Sequence, residues 1–429
     1  MSQIDNEELL GSIIVESSNY ISQSEPEKSL ELLLNNFNNF ENNAIYLQTL
    51  GEAYLELGDV EKAYDFLIKA CELDPTGSKS VEKFFYLGQI IGGLDGLNSL
   101  KVGVEKLMSQ LNFIDELKAK HSNNNNNNNT EQEIILEISN QDESLKLLVN
   151  AYHNFNSIRK YLIKKLNQGI FSMIEIWMTD LCMEENAEIE CENLINLSIK
   201  LDNKNPETLS ILSSIRISQQ RSNDAKELIC ESWELFKLKL NNLKSASSKT
   251  IQDNEDEEEE EEEEEDVNDI NLETMELIQP LITLAKYAIE LGLFEIAIEI
   301  TGSIQNIDEN SIESYYLEGF ANYLIVKRIQ NNISKDEDYL NFNLNFQDLP
   351  INNKINENDD SFEFLKESRL SLSNAFKLLQ IDSISNETDP ELKETVNNLL
   401  KQVGGFILKE KDTSGINENN WEEQIELDD

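Results

Sequence analysis

A spacing of 34 residues restricts what this chain can fold into more than any other feature of it. The stretch AIYLQTLGEAYLELGDVEKAYDFLIKACELDPTG (Ala44 to Gly77) carries Leu50, Gly51 and Tyr54 at its seventh, eighth and eleventh places and Gly58 at a turn. Ala63 and Ala70 follow at the twentieth and twenty-seventh, and Pro75 at the thirty-second. Apolar residues fall three and four apart on both sides of Gly58, so the stretch reads as two helices joined at a glycine. Small side chains at places eight and twenty let the two backbones approach, while bulky ones fill the space toward the next pair. A single hairpin of this kind leaves an apolar face uncovered, so several must stack.

This is the tetratricopeptide pattern, and it recurs in phase. Backwards, Leu10 to Asn43 is a degenerate copy with Ile13, Tyr20 and Ser29 at places four, eleven and twenty. Forwards the frame slips by three, so that Val81 opens a copy with Phe84, Leu87 and Gly88 at four, seven and eight. Frames at Ser172 and Pro206 are again 34 apart, as are those at Ile278 and Ile312, where Ala285, Gly292, Ala297, Tyr315 and Gly319 hold signature places. With six prolines and no sustained period-two alternation, the expected fold is all-α: a tetratricopeptide-repeat (TPR) superhelical solenoid interrupted by disordered low-complexity inserts.

Two low-complexity runs supply the interruptions, Asn123 to Asn129 and the unbroken carboxylates Glu255 to Asp266. Neither carries the apolar surface needed to offset ordering entropy, so breaks are expected near Ser122 to Thr130 and Ala246 to Asp269. The resulting organisation is N-terminal repeats over 1–114, a partly disordered Asn-rich insert over 115–149 and central repeats over 150–241. An acidic disordered linker over 242–271 follows, then C-terminal repeats over 272–402 with an insert near 330–361, and an acidic tail over 403–429.

Charge narrows the function. Asp and Glu outnumber Lys and Arg by 83 to 35, a net −48, and the body remains acidic without the carboxylate run and the tail. Phosphate backbones are bound by basic side chains that displace counterions, so direct nucleic-acid and anionic-membrane binding are excluded and a basic protein partner is expected. Cys71, Cys182, Cys191 and Cys230 include no CxxC pair, and His121 and His153 are the only imidazoles. The cysteines read as small residues in a reducing compartment, and no metal, cofactor or catalytic residue is expected. No Gly-rich phosphate loop, basic leader or spanning apolar run is present in the sequence, and clustered carboxylates without fixed geometry make a poor catalytic pair.

In such a solenoid the first helix of each repeat lines a concave groove, at places two, five, nine, twelve and thirteen. Those places give Gln48, Glu52, Leu55 and Glu56; Glu82, Phe85 and Gln89; Ile176, Asp180, Met183 and Glu184; Glu207 and Ser210; Ile282, Lys286, Ile289 and Glu290; and Glu313, Tyr316, Phe320 and Tyr323. The candidate client-binding set drawn from them is Glu52, Glu56, Phe85, Asp180, Glu184, Glu290, Glu313, Tyr316, Phe320 and Tyr323. Carboxylates can grip Lys and Arg while rings hold their aliphatic stems. The bland alternatives are a solvated helix face for the acids and inter-repeat packing for the rings; Trp177 and Trp233 read as core.

Three stretches exceed the generic repeat: YLGQIIGGLDGLNSLKVGVEKL (Tyr86 to Leu107), MIEIWMTDLCMEENAEIECENLI (Met173 to Ile195) and NPETLSILSSIRISQQRSNDAKE (Asn205 to Glu227). With YYLEGFANYL (Tyr315 to Leu324) and the acidic tail around Trp421, they resemble the dedicated assembly chaperones of the large-subunit ribosomal protein L-four. That resemblance implies a monomeric, non-enzymatic chaperone of cytoplasm and nucleus. It would hold the basic internal loop of newly made L-four in its groove, keep it soluble through import, with an import receptor engaged through the client, and release it on the pre-60S particle. The acidic run fits equally a histone chaperone of the class in which an acidic segment interrupts the repeats. A clamp for acidic heat-shock tails would need Lys, Arg and Asn at places filled here mostly by acids and apolar residues.

Overall fold

The computed structural model describes residues 3–23, 25–122, 130–141, 143–250, 270–334, 349–381 and 388–406, and every regular element among them is an α-helix. The asparagine run Asn123 to Asn129, the carboxylate run Glu255 to Asp266 and the tail from 407, with Trp421, lie outside the described residues. The chain divides into two compact units, residues 1–204 and 205–429. That division falls inside 150–241, the stretch expected as one block of central repeats.

Unit 1 holds α1 (Gln3–Ser22), α2 (Pro26–Phe40), α3 (Ala44–Glu56), α4 (Val60–Leu73), α5 (Glu82–Ile91) and α6 (Gly93–Ser122). Then come α7 (Thr130–Ser139), α8 (Glu143–Tyr152), α9 (Phe155–Met178) and α10 (Ala187–Leu201). The clearest repeat is the α3–α4 hairpin. Asn43 caps α3 by accepting from the Ile45 and Tyr46 amides, Gly58 turns the chain at φ 72°, and Asp59 caps α4. Place eight is small for a steric reason: a Cβ on Gly51 would lie 2.8 Å from Leu67 Cγ, and one on Gly88 would lie 2.6 Å from Leu100 Cγ. In the degenerate first copy places eight and twenty are Ser17 and Ser29, both fully buried, and their hydroxyls meet at 2.7 Å.

Between α4 and α5 the chain makes a corner around a buried ion pair. Lys83 and Asp74 are 1% and 3% exposed and 2.8 Å apart. Asp74 also accepts from the Ser78 amide and hydroxyl and the Lys79 amide, and Lys83 donates to the Ser80 carbonyl. These bonds, with the Lys83 charge, hold the Asp74 carboxyl far below the usual carboxylate range despite its burial.

Two expectations about breaks need correction. Most of 115–149 is helical, because α6 continues to Ser122 and because α7 and α8 bury Ile134, Ile138, Leu145 and Val149. The break expected from Ala246 is not seen over 246–250, since α12 (Ser222–Thr250) contains no Gly or Pro to stop it; the rest of that expected break, 251–269, lies outside the described residues.

Unit 2 holds α11 (Pro206–Ser218), α12, α13 (Ile278–Glu290), α14 (Phe294–Gln305), α15 (Ile312–Gln330), α16 (Phe362–Leu378) and α17 (Pro390–Gln402), with a short helical stretch at 270–275. The first two pairs are ordinary repeat hairpins, and Gly292, φ 75°, turns α13 into α14 as Gly58 does in unit 1. The third is split. The partner of α15 is α16, more than thirty residues downstream: a Cβ on Gly319 would lie 2.6 Å from Leu372 Cγ, and Ser368 Oγ donates to the Gly319 carbonyl at 2.7 Å. The described end of the insert, 349–361, returns along α15. Gln330 exchanges hydrogen bonds with the Asn352 backbone, and Leu349, Ile351 and Ile355 pack against the core of the unit.

Candidate functional site

Polar side chains join α3, α5 and the stretch of α9 from Lys165 onward at successive levels of unit 1. Gln48 Nε2 donates to Glu52 Oε1 at 2.9 Å and to Glu82 Oε2 at 3.3 Å, and Lys165 Nζ meets Glu82 Oε1 at 2.6 Å. Seven residues further along both α5 and α9, Gln89 Nε2 donates to Ser172 Oγ at 2.8 Å. Beyond it the Gly93 amide donates to Asp180 Oδ2 at 2.7 Å.

The first level is electrostatically unbalanced. Glu52 is half-buried, and burial first, then the Glu82 charge, push its carboxyl up to about 7, with Gln48 and Lys165 opposing and Glu56 adding to the shift. Tyr86 and Tyr161 are raised well above the ordinary phenol value, again by burial first and then by neighbouring carboxylates, Glu82 among them in both cases. Lys165, the ammonium paired here, also lies 5.7 Å from the Tyr161 ring centroid. A second cation arriving at Glu52 would favour its charged form and release a proton.

The structure sorts the unit 1 candidates. Glu52 is brought into the cluster, and Glu56 and Glu184 are exposed. Phe85 is not on the surface: it is 8% exposed, and its ring fills the space left by Gly103 of α6 and Gly169 of α9, where a Cβ would fall 2.5 Å and 2.7 Å from ring carbons. Asp180, Met183 and Glu184 are not on a helix, because α9 ends at Met178 and the chain turns before α10. Asp180 is spent on the first amide of α6, an N-terminal cap supplied from another element. Tyr86, Tyr161 and Lys165 were missed. Lys165 stands seven residues before Ser172, so only a frame begun two turns earlier on α9 would have reached it.

In unit 2 the corresponding face is aromatic. Tyr316 and Phe320, half-buried, have parallel rings with centroids 5.9 Å apart and planes at 7°, and Phe320 and Tyr323 follow at 6.4 Å and 22°. Tyr323 corrects another expectation: it is 5% exposed, its hydroxyl donates to Gln402 Oε1 at 2.6 Å, and the Lys327 ammonium lies 4.8 Å from its ring centroid. At the opposite end, Glu313 pairs with Lys286 at 2.6 Å, while Glu290 is exposed. Trp177 and Trp233 are both core, and Trp233 Nε1 donates to Glu299 at 3.0 Å.

Among the described residues no group of three or more His, Cys, Asp or Glu could hold a metal ion, and no helix is long and apolar enough to cross a membrane.

Residues 310–417 match the ACL4 C-terminal domain family, and residues 44–76 match the tetratricopeptide repeat. A Schizosaccharomyces pombe protein named "Probable assembly chaperone of rpl4" is 24% identical over 356 residues, 81% of this chain and 85% of that protein. A protein of the same name from Emericella nidulans is 30% identical over 204 residues, 44% of this chain and 39% of its own length. A solved structure titled "Assembly Chaperone of RpL4 (Acl4) (Residues 1-338)" aligns with 75% of this chain and 98% of its own at 22% identity, with a TM-score of 0.48. The chain is therefore an all-α tetratricopeptide-repeat protein that carries the ACL4 C-terminal domain and is homologous to the proteins named probable assembly chaperones of rpl4.

Proposed function

We propose that this chain is a non-enzymatic assembly chaperone for the large-subunit ribosomal protein L-four. It receives a basic extended loop of that client on the acidic face of α3, α5 and α9 in unit 1; the aromatic face of α15 in unit 2 takes basic side chains of the client as a surface of its own. The observation that carries the reading is the Glu52–Gln48–Glu82–Lys165 cluster, in a chain whose relatives bear that name. A half-buried carboxylate held near 7 gains charge and hydrogen bonds when a lysine or arginine reaches it. A ribosomal loop destined for RNA is rich in such groups and aggregates without a counter-charge. The chain covers that loop until RNA replaces it, acting as a monomer in cytoplasm and nucleus and touching neither nucleic acid nor membrane. An import receptor joins through the client.

The test is co-purification of the full chain with L-four from the same source, beside a histone H3–H4 preparation. The expected result is a stoichiometric complex with L-four alone, weakened at high salt because exposed charges are screened beyond about 8 Å at physiological ionic strength. It should be lost when the client's basic loop is deleted. Equal retention of histones, or undiminished binding by a Glu52→Lys, Glu56→Lys, Glu82→Lys variant that remains folded, would overturn the reading.

A further inference from the structure

On the client reading above, we infer that the Tyr316–Phe320–Glu313 face of unit 2 receives arginine in preference to lysine. Three features of that face lead there. Its two half-buried rings are stacked, parallel within 7° with centroids 5.9 Å apart, an arrangement that a planar cation can extend by stacking on it. A carboxylate, Glu313, stands one turn before Tyr316 on α15, so charge and ring lie on one helix face. The far end of the strip is closed, since Tyr323 is buried beside Gln402 with the Lys327 ammonium 4.8 Å from its ring centroid, so an incoming side chain enters at the Tyr316 end.

At that end Glu313 already holds a cation. The pair with Lys286 is short, 2.6 Å, but the Lys286 side chain is 53% exposed and offers a single ammonium. A guanidinium can take both carboxylate oxygens at once and lay its plane along the rings, and being weakly hydrated it gives up less water to do so. An incoming lysine would only exchange one ammonium for another. Unit 2 builds the same arrangement internally: Arg328 Nη2 is 2.9 Å from Glu295 Oε1, and its guanidinium carbon lies 5.3 Å from the Phe294 ring centroid. In unit 1 the cation beside the rings is a lysine, Lys165.

The experiment uses the full chain and two fluorescent peptides of equal length and charge, one with arginine and one with lysine as its only basic residue. The arginine peptide should bind about fivefold tighter, the scale of one cation–π contact at a partly exposed position. Tyr316→Leu with Phe320→Leu should reduce the ratio to about one with the lysine peptide's affinity kept. Because that pair touches the core, a second measurement uses exposed positions: Lys286→Ala should raise arginine-peptide affinity more than the charge-matched Lys366→Ala, an exposed lysine of α16 paired with Glu363. Equal binding of the two peptides, a preference that survives in the double variant, or equal gains from Lys286→Ala and Lys366→Ala would each overturn the inference while leaving the client reading standing. Binding of neither peptide would overturn both.

Discussion

The two units share one repeat signature and line their faces with different chemistry. In unit 1 the carboxylates Glu52 and Glu82 share Lys165 beside tyrosines, with Glu56 exposed one turn beyond Glu52; in unit 2 two parallel rings run beside one carboxylate that is already paired. The signature places, small at eight and twenty, govern how close two helices come. The lining places are free of that demand, so repeats that pack alike can bind differently.

The contrast would be sharpened most by core variants of unit 1. Phe85→Ala should destabilise unit 1 by about 3–5 kcal/mol, because α6 and α9 are held apart by the ring between Gly103 and Gly169. Asp74→Ala should cost a similar amount, about 3–5 kcal/mol, by stranding the Lys83 charge in the interior. Chemical denaturation followed by Trp177 fluorescence, with Trp233 and Trp421 replaced by Phe, reads unit 1. The converse background that keeps only Trp233 should register no change. A loss of client binding by Phe85→Ala with unchanged stability would instead return Phe85 to the surface. The Asp74 carboxyl is depressed in the folded chain, so its contribution is present above the unfolded value near 4 and disappears as pH falls below it.

Next in size are the surface acids. Glu52→Lys with Glu56→Lys should weaken client binding by about 2–3 kcal/mol, and Glu290→Lys with Glu313→Lys by about 1 kcal/mol, measured by calorimetry. The reverse order would break the comparison. Deleting Glu255 to Asp266 should chiefly slow association, since a run of like charge raises the local potential and steers encounters without supplying lasting contacts.

The units are also distinguished by pH. The Glu52 carboxyl is raised to about 7, so its ionisation opposes folding: the penalty is fully present above 7 and is relieved as pH falls toward the unfolded value near 4.3. Unit 1 should lose stability between pH 5 and 8 in a way that Glu52→Gln removes, and a slope unchanged in that variant would reassign it. Smallest of all, Lys286→Ala should alter stability by no more than about 1 kcal/mol, since its pair with Glu313 is largely solvated.

The helical hairpins of α3–α4, α11–α12 and α13–α14 were legible because Gly, Ala and Ser at fixed places report close backbone approach, which is a local demand. The long helices were not: α9 begins 17 residues before the frame at Ser172, and its extension is set by burial against α6, which no repeat place records. The candidate site was half legible. Glu52 and Glu82 were found by counting, while Phe85 lies at a lining place yet points into α6 and α9, because Gly103 and Gly169 leave room there for its ring. Lys165, Tyr161 and Tyr86 belong to the cluster through tertiary neighbours, and spacing alone does not carry that.

The split third repeat has a consequence in time. Synthesis delivers α15 complete at Gln330, but its partner α16 is complete only at Leu378, 48 residues later, and α17 later still. At about 5–20 residues per second the apolar flank of α15 waits roughly 2–10 s for its cover. Over that interval a nascent chain presents the Gly319 side of α15, with Val326 two turns further along it, to whatever else is near the ribosome, so a helix that ends up buried is briefly open to partners of chance.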